Sequence, residues 1–593
     1  MFLKRHQVRK DGKQHVYYSL SESIRVGRDR ILQRRLLNLG ELNTTQMERW
    51  QRTIEVIEEN GAAQQMRLFT DREGQAPEGV DRFNAEVLLS SLQVRRPRSF
   101  GAPWVGCRMW QELQLDDFWS ERLGEHRGPV EWAKVLELLA VNRLCAPSSE
   151  LSVHERWFGQ TAMDVLLGCD ARVAGKDRLY RALDKAVEHK DALLAHLQGR
   201  WQSLFAADCQ ILLYDLTSTY FEGAAEEVPK AKRGYSRDHR PDCVQVLVAL
   251  VVSSEGFPLC YEVFEGNRND VTTLEEVLEK IETKYGCKGR VWVFDRGIVS
   301  EGNLEQLRAR GAAYLVGTPK RLLQEFEQSL LTGEWQEVSG REGVKVQLLE
   351  RAGETYVLAR SVARASKESS MRRRQLVAFH RDLRALSASI SAGRLKKADQ
   401  ILLRLGRLHE RYASMRPYLA ECRLERQASG RLRLIWRWHK ERLRHARLRD
   451  GAYLLRTNLD PMEPECLWQQ YIQLTEVESA FRCLKSELSL RPIWHRIERR
   501  VEAHILIAFL GYCLWVCLKH RLKAIAGSLT PARLLETFQS IQLVEVWFKL
   551  RDRRQLCLPR ITQPEKHQAL LLAQLGWELP KQPPPRIYPP QVP

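Results

Sequence analysis

The sequence predicts a multidomain α/β protein: a mixed sheet flanked by helices, interrupted by a largely helical basic insertion, and preceded by a small β-rich module and a helical domain. Three observations predict it. At 593 residues, 44% hydrophobic and 28% charged, the chain is too long for one compact domain and too apolar for disorder. Between Ile211 and Val316, strand-like runs give way to alternating helical and strand patterns. Finally, Ser361 to Asp450 holds 24 Lys+Arg against 8 Asp+Glu, so +16 of the chain's net +19 sits in one segment.

The elements follow in order. Residues 1–98 read as a β-rich module with a linker: Val16, Tyr18 and Leu20 alternate after an Asp11-Gly12 turn, and Arg30 to Leu39 runs to Gly40. Thr45 to Asn60 favours a helix, and Arg95 to Arg98, with Pro97, reads as a linker. Residues 99–205 are helical throughout, with Val135, Leu138 and Leu139 on one stripe and Leu179, Leu183, Ala186 and Val187 on another. That domain suits DNA reading or plain packing equally.

Residues 206–320 switch to strands: Ile211 to Phe221, Val244 to Ser253 and Leu259 to Phe264, with Gly256-Phe257-Pro258 turning between the last two. A helix from Thr273 to Lys284 follows, capped at Asp270, then a strand Val291 to Asp295, a helix Gly302 to Arg310 and a strand Ala312 to Val316. Three antiparallel strands followed by alternating helix and strand is the order of an RNase H-like sheet. Residues 321–450 interrupt it with the basic segment. There Leu376, Phe379, Leu383, Leu386 and Ile390 step by three and four, and Leu402, Leu405, Leu408, Tyr412 and Met415 do so after a Ser391-Ala392-Gly393 break, which predicts a helical hairpin. The sheet resumes over 451–540 with Tyr453 to Arg456 and a helix from about Glu465. Residues 541–593 end in a Pro-rich tail, Pro580 to Pro593, without packing capacity.

Several functional classes are excluded. The opening Met-Phe-Leu-Lys-Arg-His carries charges where a secretory signal needs an apolar stretch. The longest apolar run, Ile505 to Leu518, is short of the roughly 20 residues of a membrane span and reads as a buried helix. The 13 cysteines are scattered singly, and Cys513 and Cys517 share that apolar run, which fits a reducing, cytoplasmic chain. No Gly-x-x-x-x-Gly-Lys-Ser/Thr loop is present, so no nucleotide cofactor is expected. The basic segment fits either a solvated helical face or a footprint for nucleic acid phosphates; its single sign favours the second.

Three places carry candidate chemistry. Asp215 lies in the apolar strand Leu-Leu-Tyr-Asp-Leu-Thr-Ser-Thr-Tyr-Phe, where a carboxylate must be hydrogen-bonded, paired or metal-bound. Asp295 ends Val-Trp-Val-Phe-Asp-Arg-Gly, at the carboxyl end of a strand, where α/β sheets collect ligands. Tyr471, Glu478 and Lys485 recur every seven residues, which on one helix places them along one face, with Arg482 a turn from Glu478 and Glu476 turned away. Each place also admits a plain structural role.

Five strings, in order, resemble the DDE transposases of bacterial insertion sequences, in the IS-four-like superfamily and its IS-sixteen-thirty-four-type branch. They are Tyr-Asp-Leu-Thr-Ser-Thr-Tyr-Phe-Glu-Gly (214–223), Gly-Tyr-Ser-Arg-Asp-His-Arg-Pro-Asp (234–242), Phe-Glu-Gly-Asn (264–267), Phe-Asp-Arg-Gly (294–297) and Val-Glu-Ser-Ala-Phe-Arg-Cys-Leu-Lys-Ser (477–486). The resemblance implies an RNase H-like core in which Asp215, Asp295 and Glu478 are the catalytic and metal-binding triad. It also implies an insertion domain between the second Asp and the Glu. The family's Tyr, Arg, Glu, Lys signature is met at Tyr471, Glu478 and Lys485, but Leu474 stands at the Arg position; Arg482, from a neighbouring turn, is the candidate substitute.

Three converging carboxylates repel one another, and hard oxygen ligands select Mg²⁺, with Mn²⁺ as substitute, two ions serving an in-line phosphoryl displacement. The implied activity is metal-dependent cleavage at the element's ends and strand transfer into target DNA. The partners are double-stranded DNA and a second copy of the chain in a synaptic homodimer, with no membrane. Tyr471, Lys485 and Arg482 are candidate DNA contacts, as are Arg237, His239 and Arg240 of the loop beside the first strands. The alternative is a non-catalytic DNA-binding repressor or domesticated transposase; a binding-only descendant has no physical reason to keep three clustered carboxylates.

Overall fold

The structure, a computed structural model, describes residues 1–10, 13–25, 31–63, 87–124, 130–285, 290–351, 353–427, 431–460 and 462–589. The chain forms two compact units. Unit one comprises Met1–Asp208, Leu216–Arg268 and Glu476–Pro593; unit two comprises Cys209–Asp215 and Asn269–Thr475.

The N-terminal module is a three-stranded antiparallel meander, β1 (Phe2–Lys10), β2 (Lys13–Arg25) and β3 (Ile31–Gly40). The Asp11-Gly12 turn read from the sequence lies outside the described residues. Helix α1 (Thr44–Ala63) follows as expected. The linker expected at Arg95 to Arg98 is instead part of a strand, β4 (Val87–Ser99). Arg96, at φ +50°, and Pro97 fall where the pairing register shifts, a bulge at which a strand tolerates proline. Helices α2 (Gly101–Glu112), α3 (Leu115–Leu123), α4 (Trp132–Cys145), α5 (Lys176–Ala186) and α6 (Lys190–Phe205) bury the two expected stripes, except that Val187 is only half-buried.

Next comes the strand that carries the first aspartate, β5 (Ile211–Tyr220), which passes from unit two into unit one after Asp215. In unit one its second half neighbours β6 (Gln245–Ser253), which pairs antiparallel with β7 (Pro258–Glu265) across a turn where Gly256 takes φ +89°. Helix α7 (Leu274–Tyr285) lies in unit two, behind a short helical turn whose cap is Asn269 rather than Asp270. There β8 (Val291–Phe294), α8 (Glu301–Ala309, capped by Ser300) and β9 (Ala313–Gly317) follow the expected order.

The basic segment is not simply a helical insertion. Two of its strands, β10 (Val344–Arg351) and β11 (Glu354–Ser361), extend the sheet of unit two. The helical hairpin is present as α9 (Val362–Ser391, capped by Ser361) and α10 (Ala398–Arg411), separated by Gly393 at φ +70°. Its core adds a β-hairpin absent from the reading, β12 (Leu419–Arg426) with β13 (Leu432–Trp438). Ile401 takes the buried position expected of Leu402, which is 51% exposed, while Leu405, Leu408, Tyr412 and Met415 face the core as expected. Helix α11 (Lys440–Leu448) leads into β14 (Ala452–Thr457). In unit two the strand order is Gln336–Glu337, β10, β11, β14, β9, β8, β5. The pairs β5·β8 and β8·β9 are parallel and the rest antiparallel, so the sheet is mixed, as expected.

The single helix expected from about Glu465 is broken. Helix α12 (Pro464–Ile472) ends at Gln473, α13 (Leu474–Arg482) follows, and a π-helical turn runs from Cys483 to Glu487. Helix α14 (Glu498–Ile525) is long and apolar enough to cross a bilayer, but 89% of its apolar window is buried inside the protein, where it packs on α4 and α5. This agrees with the expected core helix. The C-terminal region is more structured than a tail. Helix α15 (Pro531–Phe538) precedes β15 (Gln542–Leu550), β16 (Gln555–Ile561), α16 (Lys566–Leu575) and β17 (Arg586–Tyr588). Strand β17 pairs with β16, and Tyr588, although exposed, stacks on Trp547 at 5.1 Å, so strand pairing and an aromatic contact anchor the proline-rich end.

Candidate active site

The two aspartates are placed by strand register. Parallel strands β5 and β8 pair from Ile211↔Val291 to Tyr214↔Phe294, so Asp215 and Asp295 are the next residues on neighbouring strands. Both stand at the carboxyl end of the parallel pair, with backbones about 5 Å apart by sheet spacing. The strands are anchored by buried side chains: Leu212, Leu213, Tyr214, Trp292, Val293 and Phe294 are at most 1% exposed. The Tyr214 hydroxyl is 2.8 Å from that of Thr273, tying β5 to the start of α7. Asp215 is half-buried and Asp295 exposed, where the chain leaves the sheet into the Arg296-Gly297 turn.

Tyr471 reaches this edge from α12. Its hydroxyl donates to Asp295 Oδ1 at 3.2 Å. Burial and the adjacent carboxylate hold the phenol protonated, well above the usual tyrosine range. Gly317 makes room for it, because a side chain there would overlap the Tyr471 hydroxyl. Asp295, Gly317 and Tyr471 face a cavity of about 230 Å³ that Lys320 and Arg364 also line. Tyr471, expected as a DNA contact, is therefore engaged with the Asp295 carboxylate.

Glu478 and Arg482 are exposed on α13 in unit one. Glu476, two residues earlier, is ion-paired with Lys519 at 2.8 Å, as its opposite orientation on the helix requires. A single turn residue, Gln473, stands between α12, which carries Tyr471, and α13, which carries Glu478, and Lys485 lies within the π-turn that follows. Lys485 is turned into unit one, its Nζ 2.8 Å from Asp238 Oδ1, and Arg491 pairs with the same oxygen. Burial lowers the Lys485 pKa, while Asp238 opposes the shift.

Asp238 was passed over in the sequence, where its neighbours Arg237, His239 and Arg240 drew attention. Its side chain is 3% exposed, and its Oδ2 is buried without a partner among the described residues. The loop around it is fixed by Ser218 of β5, whose hydroxyl accepts from the Arg237 backbone N–H at 3.0 Å. Arg240 is committed to Asp242 and Glu222 and lies over the Tyr220 ring, whereas His239 is exposed at φ +57°. Asp270, read as a helix cap, places a carboxylate oxygen 4.0 Å from where a Cβ on Gly297 would stand, beside the turn that follows Asp295.

Two adjacent carboxylates at one sheet edge repel each other, and their oxygen donors suit a hard divalent cation. The donor set at Asp215 and Asp295 therefore fits the metal expected from the sequence.

A family model described as "Transposase DDE domain" matches residues 208–514, just over half of the chain. The chain belongs to that family. It is thus a transposase with nuclease-type catalytic activity, DNA is its partner, and the mixed sheet is consistent with an RNase H-like core; such transposases generally use divalent metal ions. Among curated proteins, none matches.

Proposed function

We propose that this transposase cleaves DNA at the ends of an insertion sequence and joins the released 3′-OH ends to target DNA, acting in the cytoplasm as a homodimer that pairs two ends. The observation that carries the reading is the in-register placement of Asp215 and Asp295 at one sheet edge in a chain of this family. Asp215, Asp295 and Glu478 are the residues that would hold two divalent cations, Mg²⁺ or Mn²⁺, which when bound supply charge neutralisation and polarisation of the phosphate oxygens. Tyr471 orients Asp295 by occupying one of its oxygens, leaving the carboxylate a defined direction. Lys320 and Arg364, on the walls of the same cavity, attract the phosphate backbone toward the carboxylates.

Four of the six candidate DNA contacts divide by their surroundings. Arg482 and His239 are exposed and available to phosphates. Lys485 and Arg240 are held by acidic partners, so they act first by shaping the loops that meet DNA. The segment 361–450 tracks the backbone through its surplus of 16 positive charges. No ATP is needed, because cleavage transfers the phosphoryl group to water and joining transfers one to the released DNA 3′-OH.

The test is a joining assay with purified protein, end DNA and a supercoiled plasmid, in Mg²⁺, Mn²⁺ or chelator. End cleavage and plasmid-linked product in either metal, and neither in chelator, is the expected result. Cleavage that never yields joined product would reduce the reading to a nuclease. Tight binding without cleavage in either metal would favour a DNA-binding protein instead.

A further inference from the structure

Residues 1–40 hold 10 Lys+Arg against 3 Asp+Glu, a second basic segment far in sequence from the one at 361–450. They form the three-stranded meander of unit one, and cross-strand pairing sorts its side chains onto two faces. Leu20 and Leu37 are partners on the first face and at most 1% exposed. Glu22 and Arg34 pair on the same face, within electrostatic reach of His567 on α16. That face is therefore packed on the body of unit one.

The second face is polar. Its middle strand, β2, contributes Ser19, Ser21 and Ser23, flanked by Lys4 and His6 of β1 and by Gln33, Arg35 and Asn38 of β3. Small residues along β2 let the longer side chains of the outer strands lean inward and meet. Lys4 Nζ donates to Gln33 Oε1 at 2.9 Å across the middle strand, and His6 Nε2 lies 3.0 Å from Ser19 Oγ. Ser19 and Ser21 are buried beneath them, whereas Gln33, Arg35 and Asn38 are exposed. No paired strand position on this face is acidic.

Neighbouring strands stand about 4.8 Å apart, so three of them span about 10 Å between their outer backbones. The major groove of B-DNA, about 12 Å wide, accepts such a ribbon, and the minor groove, about 6 Å wide, does not. Cations alone would serve phosphates; two amides beside an arginine add the groups that read base edges, Arg for guanine and Asn or Gln for adenine. Helices α2 and α4 of the following domain are buried along most of their length, so they have no free face to offer a groove.

We propose that the polar face of the β1–β3 sheet enters the major groove of the element's end DNA and reads its bases through Gln33, Arg35 and Asn38, with Lys4 orienting Gln33. The identity of that DNA rests on the transposition reading; the surface itself shares no residue with the carboxylate site.

Binding of the full-length protein to end DNA and to scrambled DNA of the same length and composition is measured by gel shift. Wild type is compared with Gln33→Ala, Arg35→Ala, Asn38→Ala and Arg5→Ala, the last removing a charge from the opposite face of the sheet. Wild type is expected to prefer end DNA, and each polar-face variant to lose about 10-fold or more of that preference. Their binding to scrambled DNA is expected to stay within a few-fold of wild type, which shows that they fold. Arg5→Ala is expected to keep the preference. In dimethyl sulfate footprints, wild type is expected to protect guanine N7, a major-groove atom, at positions that open in the Arg35→Ala complex. Polar-face variants that keep the full preference, or an equal loss in Arg5→Ala, would overturn the proposal while the preference and cleavage of the wild type leave the transposition reading intact. A wild type that binds both DNAs equally would overturn that reading, and the proposal with it.

Discussion

Asp295→Asn and Asp215→Asn are each expected to lower end cleavage by about 10³-fold or more while leaving affinity for end DNA within a few-fold of wild type. The amide keeps the size and the packing of the carboxylate but removes the charge and one acceptor oxygen, so the hard cation is lost without disturbing the strand. The fold supports that separation. The buried residues before each aspartate, Leu212 to Tyr214 and Trp292 to Phe294, hold the strands whatever stands at 215 and 295. Asp295 is exposed besides, so its replacement leaves no buried group unsatisfied. Gel shift and cleavage on the same DNA read the two effects apart. A parallel loss of binding and cleavage would mean the aspartates build the fold rather than the chemistry.

Asp238→Ala is expected to destabilise the protein by about 3–5 kcal/mol, the cost of leaving buried charges without their partner. Lys485 and Arg491 share one oxygen of Asp238, with side-chain exposures of 10% and 32%. Removing the carboxylate leaves two cations facing each other in a poorly solvated place, with Arg237 adding to the repulsion on Lys485. The measurement is the shift in the denaturant midpoint, followed by tryptophan fluorescence. A change below about 1 kcal/mol would show that water reaches the pair and that it behaves as a surface salt bridge.

The neighbouring placement of the two aspartates was legible in the sequence because a carboxylate within or just past an apolar strand is costly to bury unless it is paired, hydrogen-bonded or bound, and register then makes Asp215 and Asp295 neighbours. The helical hairpin was legible because its three-and-four stepping repeats on both sides of a glycine break. Other parts were not. The π-turn at Cys483–Glu487 leaves no local mark, and Lys485 within it pairs with Asp238, nearly 250 residues away in the chain. Strand β4 was hidden because Pro97 speaks against a strand until its bulge is seen.

The proposed reaction requires Glu478, and not the nearby Glu476, to complete the set of carboxylates. Glu476 is committed to Lys519 at 2.8 Å, whereas Glu478 is exposed on α13. The most direct measurement is end cleavage by Glu478→Gln and Glu476→Gln, side by side in Mg²⁺ and Mn²⁺. The expected result is that Glu478→Gln abolishes cleavage in both metals while binding end DNA, and that Glu476→Gln cleaves within a few-fold of wild type. Full cleavage by Glu478→Gln, with loss in Glu476→Gln, would contradict the account and move the third ligand to the other face of the helix.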